Sequence, residues 1–388
     1  MAGVLELREP GGAFRLLEEW LLGHGFFSAG SDDLVADLYL GYGLSQEIRR
    51  EATPPPPEPC PALPLAACVI RDDAGDFVPQ SRKFPRARSS ARTPWEGEES
   101  GARATLVAQS HEPEFEIGEW EPTWSELAYR AAVESVRESI ARGDVYQVNL
   151  VQHLSASFAG DPAGLAARLA PLRPLHGEPL AGDGWAVVSA SPEVFLARRG
   201  RRIWTMPIKG TRPVGGAAEL TASEKDAAEH VMIVDLERND LSRVCEPGSV
   251  LWPELMATRE LAGVEHMVST VEGTLREDAG FAEILEATFP GGSVTGAPKI
   301  AAVDLIASLE PFGRGASMGA LGRVRGNGDF DLVLTIRTFA VAEDRIHLWV
   351  GGGVVWDSDP AAEVEESWVK ARPLLEALRS PVPAAVLR

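Results

Sequence analysis

The chain has 388 residues and a formal net charge of -20. That length exceeds the ~250–300 residues at which a single core usually stops growing, so two lobes or one large compound domain are expected. So acidic a surface argues against nucleic acid or anionic membrane as a partner, and any anionic substrate must meet locally placed cations. No apolar run approaches the ~20 residues of a membrane span, and the N-terminus has no basic region ahead of an apolar stretch, so it does not read as a signal peptide. Cys60, Cys68 and Cys245 are odd in number and lack CxxC spacing. This suits a reducing cytoplasm better than a disulfide framework or a zinc site.

In chain order, Ala13 to Leu22 has helical spacing, and residues 51–58 form a proline tract expected to be an extended loop. Residues 87–103 are polar and turn-rich, which predicts another loop. Regular patterning begins after residue 123. Trp124 to Arg142 reads as a helix stopped by Gly143. Val145 to Val151, Trp185 to Ser189, Val194 to Ala197 and Arg202 to Ile208 read as strands. Ser223 to Val244 reads as a long helix with Glu224 and Asp226 in its first turn, where they suit the macrodipole. Pro298 to Leu309 is a second helix with proline in its first turn. Phe330 to Val341 and Ile346 to Val350 are expected to pair as long strands across a turn at Glu343-Asp344. A last helix from near Ala361 carries Val364, Trp368, Ala371, Leu375 and Leu378 as one apolar stripe, with Pro373 expected to bend it. Antiparallel strand pairs among helices predict an α+β fold.

Five segments carry possible chemistry. Met206-Pro207-Ile208-Lys209-Gly210-Thr211 delivers a lysine at the end of a strand. A nucleophilic amine there must be neutral, which requires desolvation or neighbouring positive charge; a solvated lysine at a turn fits the hexapeptide as well. Glu229 precedes the apolar run Val231 to Val234, where a carboxylate is costly unless paired, metal-bound or at a solvated helix end. Gly351-Gly352-Gly353 would let a ligand approach the backbone, and Glu363 and Glu366 share a face of the following helix. Such a carboxylate pair suits Mg²⁺, and equally a solvated acidic first turn. Phe289 to Lys299 is a glycine-rich loop opening a helix, a possible anion site without P-loop or dinucleotide spacing. Arg337, in Thr335-Ile336-Arg337-Thr338, is a guanidinium amid apolar residues and needs a substrate carboxylate or a structural ion pair. His266 is a lone histidine beside apolar residues, for which a core role suffices locally.

Taken together and in order, SPE, PIKGT, EHVMIVDLERNDLSRV, HMVST, FPGGSVTGAPK, TIRT and GGGVVWDSDPAAEVEES resemble the chorismate-binding enzyme family, over about two thirds of the chain, residues 125–378. Gly143 to Leu150 is similar to the family as well. The resemblance implies a large two-lobed α+β fold with two stacked, mainly antiparallel sheets and outer helices. Residues 1–115 would be a divergent N-terminal region contributing to one lobe, and 116–388 the catalytic domain. It implies Mg²⁺ held by Glu229 and Glu366, with Glu363 nearby. Chorismate would be contacted by Gly210, Thr211, Arg337 and Gly351 to Gly353, with His266 in the active site and Glu193 as general acid. Anthranilate synthases are similar but carry alanine at the position of Lys209. The lysine resembles the branch that aminates chorismate at carbon 4, with ammonia from a separate glutamine amidotransferase. Ser317 stands where the family usually has an aromatic residue in the substrate pocket.

Overall fold

The computed structural model describes residues 3–51, 53–71, 115–261 and 264–378. The loop expected at 87–103 lies outside these residues. The chain runs β1 (Val4–Leu7), α1 (Ala13–Gly23), β2 (Val35–Leu40), a 3₁₀ turn over Tyr42–Ile48 and β3 (Ala66–Arg71). It continues with β4 (Phe115–Ile117), β5 (Glu121–Pro122), α2 (Glu126–Arg142), β6 (Gln147–Gly160), α3 (Pro162–Leu169), β7 (Leu180–Gly182) and β8 (Trp185–Ser189). Next come β9 (Val194–Arg199), β10 (Arg202–Met206), β11 (Ile208–Pro213), α4 (Ala217–Ala222), α5 (Glu224–Ser242), β12 (Leu251–Leu261) and β13 (Val264–Thr274). The C-terminal part comprises α6 (Phe281–Thr288), β14 (Gly296–Ala297), α7 (Lys299–Leu309), β15 (Ala320–Arg325), β16 (Phe330–Leu334), β17 (Thr338–Ala342), β18 (Arg345–Val354) and α8 (Pro360–Ala377).

The strands form two antiparallel sheets, as the α+β expectation required. A ten-stranded sheet is ordered β1-β3-β2-β15-β16-β9-β10-β13-β11, with β12 also along β13. An eight-stranded sheet is ordered β14-β6-β18-β17-β8-β7, with β4 and β5 also along β6. The N-terminal strands β1 to β3 thus extend the first sheet, β2 pairing with β15, β3 with β2 and β1 with β3.

Local chemistry sets the helix ends. Ser125 caps α2 by accepting from Ala128 N, and Gly143 stops it with φ 83°. Ser223 caps α5 by accepting from Asp226 N. Asp359 caps α8 by accepting from both Ala361 N and Ala362 N. The stripe Val364, Trp368, Ala371, Leu375 and Leu378 is buried, where α8 packs on β18 and α2; each such side chain contributes about 1.5–3 kcal/mol on full burial. α8 runs on through Pro373. Glu343 and Asp344 both take positive φ, 53° and 59°, making the expected tight turn between β17 and β18.

Three expectations need correction. Phe330 to Val341 is not one strand: β16 belongs to the first sheet and β17 to the second, and the chain changes sheet at Thr335-Ile336-Arg337. Arg202 to Ile208 is likewise divided at Pro207, which has no N–H to continue the ladder. The run Val231 to Val234 does not bury α5 all round, since Val231 is 47% exposed while Ile233 is fully buried.

Candidate active site

The site gathers where two neighbouring strands pass between the sheets together. β8 leads into β9 through Ala190 to Glu193, and β16 leads into β17 through Thr335 to Arg337. Two cross-links hold the crossovers side by side: Ala190 N donates to Arg337 O at 2.9 Å, and Leu334 N donates to Glu193 O at 3.0 Å. Hydroxyls replace the ladder bonds lost at the breaks. Thr335 Oγ1 accepts from Gly319 N at 2.7 Å, Thr338 Oγ1 donates to Ile336 O at 2.9 Å, and Ser191 Oγ accepts from Glu193 N at 3.3 Å. Arg337 has φ 51°, a left-handed conformation that ends the alternation of β16.

Glu193 is buried in this crossover. Its Oε1 accepts from Ser293 Oγ at 2.8 Å and faces Ile208 N at 3.4 Å. Burial raises its pKa, against the opposing pull of Ser293, Lys209, Ile208 N and Arg337. The carboxyl is therefore biased toward the neutral form that a proton donor needs. Arg337 forms no ion pair among the described residues, and burial lowers its pKa while Glu193 supports its charge. A buried guanidinium of this kind is suited to an incoming carboxylate.

Lys209 stands on β11, and Gly210 follows with φ 64° at a register shift between Lys209 and Thr211. A Cβ at Gly210 would collide with Leu220, so the bulge requires glycine. Lys209 Nζ is 3.0 Å from Glu229 Oε1 and 3.4 Å from Ser293 O, with its side chain 13% exposed. Burial pulls its pKa down, but Glu229, Glu193 and Glu237 together outweigh burial and raise it. Lys209 is thus an ammonium in this arrangement, whereas the sequence argument asked for a depressed pKa.

The glycine-rich loop after α6, considered above as a possible anion site, contacts both the acid and the amine. Its Ser293 binds Glu193 through the hydroxyl and Lys209 through the carbonyl, tying the acid and the amine to one residue. Farther along, Lys299 Nζ pairs with Asp240 Oδ2 at 2.5 Å and donates to Thr288 O at 3.0 Å.

The buried His266 lies opposite Thr211 in the β11–β13 register. Its Nδ1 is 3.1 Å from Gly210 O, an acceptor only, so the proton sits on Nδ1. Burial and Arg337 push its pKa down to about 4, leaving a neutral ring. His230, next to Glu229, is also neutral: burial and Lys209 push it to about 4, and its Nε2 is 2.5 Å from Ser269 Oγ. Ser317 is fully buried, and its hydroxyl reaches Thr335 O at 3.4 Å, so it backs the Arg337 crossover.

The carboxylates expected to bind metal approach two successive glycines of β18. A Cβ built on Gly352 would lie 2.9 Å from Glu366 Oε1 and 3.4 Å from Glu363 Oε2. One on Gly353 would lie 3.0 Å from Glu229 Oε1 and collide with Gln147 Nε2. A Cβ on Gly351 would strike Leu150 O, so the backbone itself is crowded there. Each flanking carboxylate is answered by an ammonium: Glu229 by Lys209, and Glu366 by Lys370 at 2.8 Å. Gln147 Nε2 also donates to Glu229 Oε1 at 3.0 Å. Among the described residues no three His, Cys, Asp or Glu side chains are arranged to hold an ion by themselves. Two glutamates, with water and substrate oxygens, nevertheless match the usual protein share of a Mg²⁺ shell.

The arrangement brings Lys209, Glu193, Glu229, His266 and Arg337 into one electrostatic cluster. Residues 25–376 match the sequence profile of the chorismate binding enzyme family. The chain belongs to that family. It is 36% identical over 379 residues to anthranilate synthase component 1 of Streptomyces coelicolor, covering 89% of this chain and 73% of that protein. It is 40% identical over 271 residues to aminodeoxychorismate synthase component 1 of Klebsiella aerogenes, covering 67% of this chain and 60% of that protein. The chain thus spans less than two thirds of the length of some relatives. The solved anthranilate synthase component I of Streptococcus pneumoniae shares the fold, with TM-score 0.76 at 24% identity over 96% of this chain and 92% of that one. Both branches of the family are therefore similarly close.

Gln147, Ser293, His230 and Glu237 join the site without having been singled out from sequence. One signal was available: Glu229, Glu237 and Asp240 fall on one face of α5 at helical spacing, with Ile233 between them.

Proposed function

We propose that the chain aminates chorismate at carbon 4, giving 4-amino-4-deoxychorismate, with Lys209 as the covalent nucleophile. The observation that carries this reading is the convergence of Lys209 and Glu193 on Ser293, at 3.4 Å and 2.8 Å. An amine and an acid whose proton is favoured by burial, held on one residue, suit addition at one ring carbon with departure of a hydroxyl from another. The Lys209 ammonium first loses a proton to solvent, regained when the lysine is later expelled; the neutral amine adds at carbon 2, the double bond shifts, and the carbon-4 hydroxyl leaves as water with the proton of Glu193. Ammonia then adds at carbon 4, the lysine is expelled, and the proton surrendered by the new amine restores the acid. The sum is chorismate plus ammonia to aminodeoxychorismate plus water.

Arg337 supplies a guanidinium for a substrate carboxylate, and the backbone at Gly210, Thr211 and Gly351 to Gly353 lets the ring approach closely. Glu229 and Glu366, with Glu363 beside them, would hold Mg²⁺, which when bound supplies positive charge for the ring carboxylate. The neutral His266 positions Gly210 and faces Arg337. Ammonia would come from a separate glutamine amidotransferase, in keeping with relatives named component 1.

A second reading, anthranilate formation, is favoured by the longer match to the Streptomyces coelicolor protein. Incubation with chorismate, Mg²⁺ and an ammonium salt, with and without aminodeoxychorismate lyase, separates the two. 4-Aminobenzoate that forms only with the lyase supports amination at carbon 4, whereas fluorescent anthranilate without it overturns that reading.

A further inference from the structure

Glu237 is an acid the mechanism above does not use. It lies two turns beyond Glu229 on α5, is 7% exposed, and accepts from Thr205 Oγ1 on β10 at 3.0 Å. Its Cγ is 3.6 Å from where a Cβ on Gly292 would stand, next to the Ser293 that holds Glu193. The Glu237 side chain thus packs against Gly292, and the Glu193 carboxyl is bound by the next residue, Ser293. Around Glu237 stand Glu193 from the β8–β9 crossover, Lys209 from β11, Asp240 on its own helix and Lys299 from α7. Around Glu193 stand Lys209, Arg337 and Glu237. Asp240 is already engaged by Lys299.

We propose that Glu237 is a positioning residue that shares with Glu193 the proton taken by the leaving hydroxyl. The inference rests on the reading of Glu193 as the general acid. Two carboxyls buried together resist double ionisation, so the pair retains a proton after a lone acid would have lost it. Burial first, and Glu193 second, push Glu237 up to about 8. When Glu193 gives its proton to the departing oxygen, Glu237 is the neighbouring acid able to restore it. The proton later released by the newly bound amine returns the pair to its starting state, so no other donor is needed.

The test is the pH profile of chorismate consumption by the full chain, whichever product forms. In Glu237→Gln the alkaline limb of kcat moves to lower pH by about one unit. In Thr205→Val the limb moves to higher pH, because the lost hydroxyl favoured the ionised form of Glu237. Opposite displacements by the two variants cannot come from loosened packing. A uniform fall at every pH, or an unmoved limb, overturns the proposal. Infrared difference spectra at pH 7 provide a readout independent of turnover. The carbonyl stretch of a neutral carboxylic acid is present in the wild type and diminished in Glu237→Gln, and equal bands in the two proteins also overturn it. Should the wild type not consume chorismate, the functional reading fails while the infrared comparison still decides whether the pair shares a proton.

Discussion

Lys209 Nζ and Glu229 Oε1 meet at 3.0 Å, an ion pair between the amine assigned to catalysis and a carboxylate assigned to metal. The pair keeps the amine charged, so the nucleophile is restrained until Glu229 is otherwise engaged. Lys209→Ala is expected to abolish the 4-amino product while the chain still folds, with a lowered melting temperature because Glu229 loses its ammonium. Chromatography of the products with the lyase present checks it. Undiminished 4-aminobenzoate from the variant would remove the lysine from the mechanism.

Glu193 has its proton favoured by burial, and Ser293 fixes its orientation. Glu193→Gln keeps the shape and removes the transferable proton. Turnover should fall by about 10²–10⁴-fold, the usual contribution of a positioned general acid, with a smaller change in KM. A loss confined to KM would mean that Glu193 only binds.

Glu366 is half exposed and tied to Lys370, while Glu229 is tied to Lys209. If the two carboxylates share Mg²⁺, Glu366→Gln raises the half-saturating Mg²⁺ concentration by at least the ~10–100-fold typical of losing an outer-shell partner. Chelation should silence the wild type and be reversed by added Mg²⁺. Identical Mg²⁺ titrations of the two proteins would exclude Glu366 as a ligand.

Arg337 has no ion pair among the described residues, so its cation is available to a ligand. Losing a charge-assisted hydrogen bond costs ~1.5–3 kcal/mol, which raises the KM for chorismate about 10–100-fold in Arg337→Gln. Steady-state kinetics check it, and an unchanged KM would place the substrate carboxylate elsewhere.

Much of this architecture is legible in the sequence because it follows local rules. Trp185–Ser189 is a strand as expected, Ser125 and Gly143 bound α2, and the apolar stripe of α8 is buried. The sheet change at Thr335 to Arg337 is not legible. Residues 330–342 alternate continuously because β16 and β17 both face a core, and only Arg337 adopting φ 51° marks the break. The motifs located Lys209, Glu193 and Arg337 but not what orients them. Ser293 acts through one hydroxyl and one carbonyl in a loop nearly a hundred positions away. Glu237 reads as an ordinary helix glutamate until β10 and the glycine loop enclose it.

Glu58, in the proline tract, provides a stability test away from the active site. Its Oε2 accepts from Gly315 N at 3.0 Å, and burial lifts its pKa from 4.5 to about 7. The folded chain therefore binds this proton more tightly than the unfolded chain. The stabilisation is complete below about 4.5 and is lost as pH rises through about 7. The full effect is on the order of 3 kcal/mol, from a rise of about 2.5 pH units at 1.36 kcal/mol each. Glu58→Gln keeps the hydrogen-bond acceptor and cannot ionise. Its melting temperature should fall less than that of the wild type between pH 5 and pH 8, and the two should converge in acid. Parallel curves across that range would show that Glu58 is hydrated in solution and contributes no pH dependence.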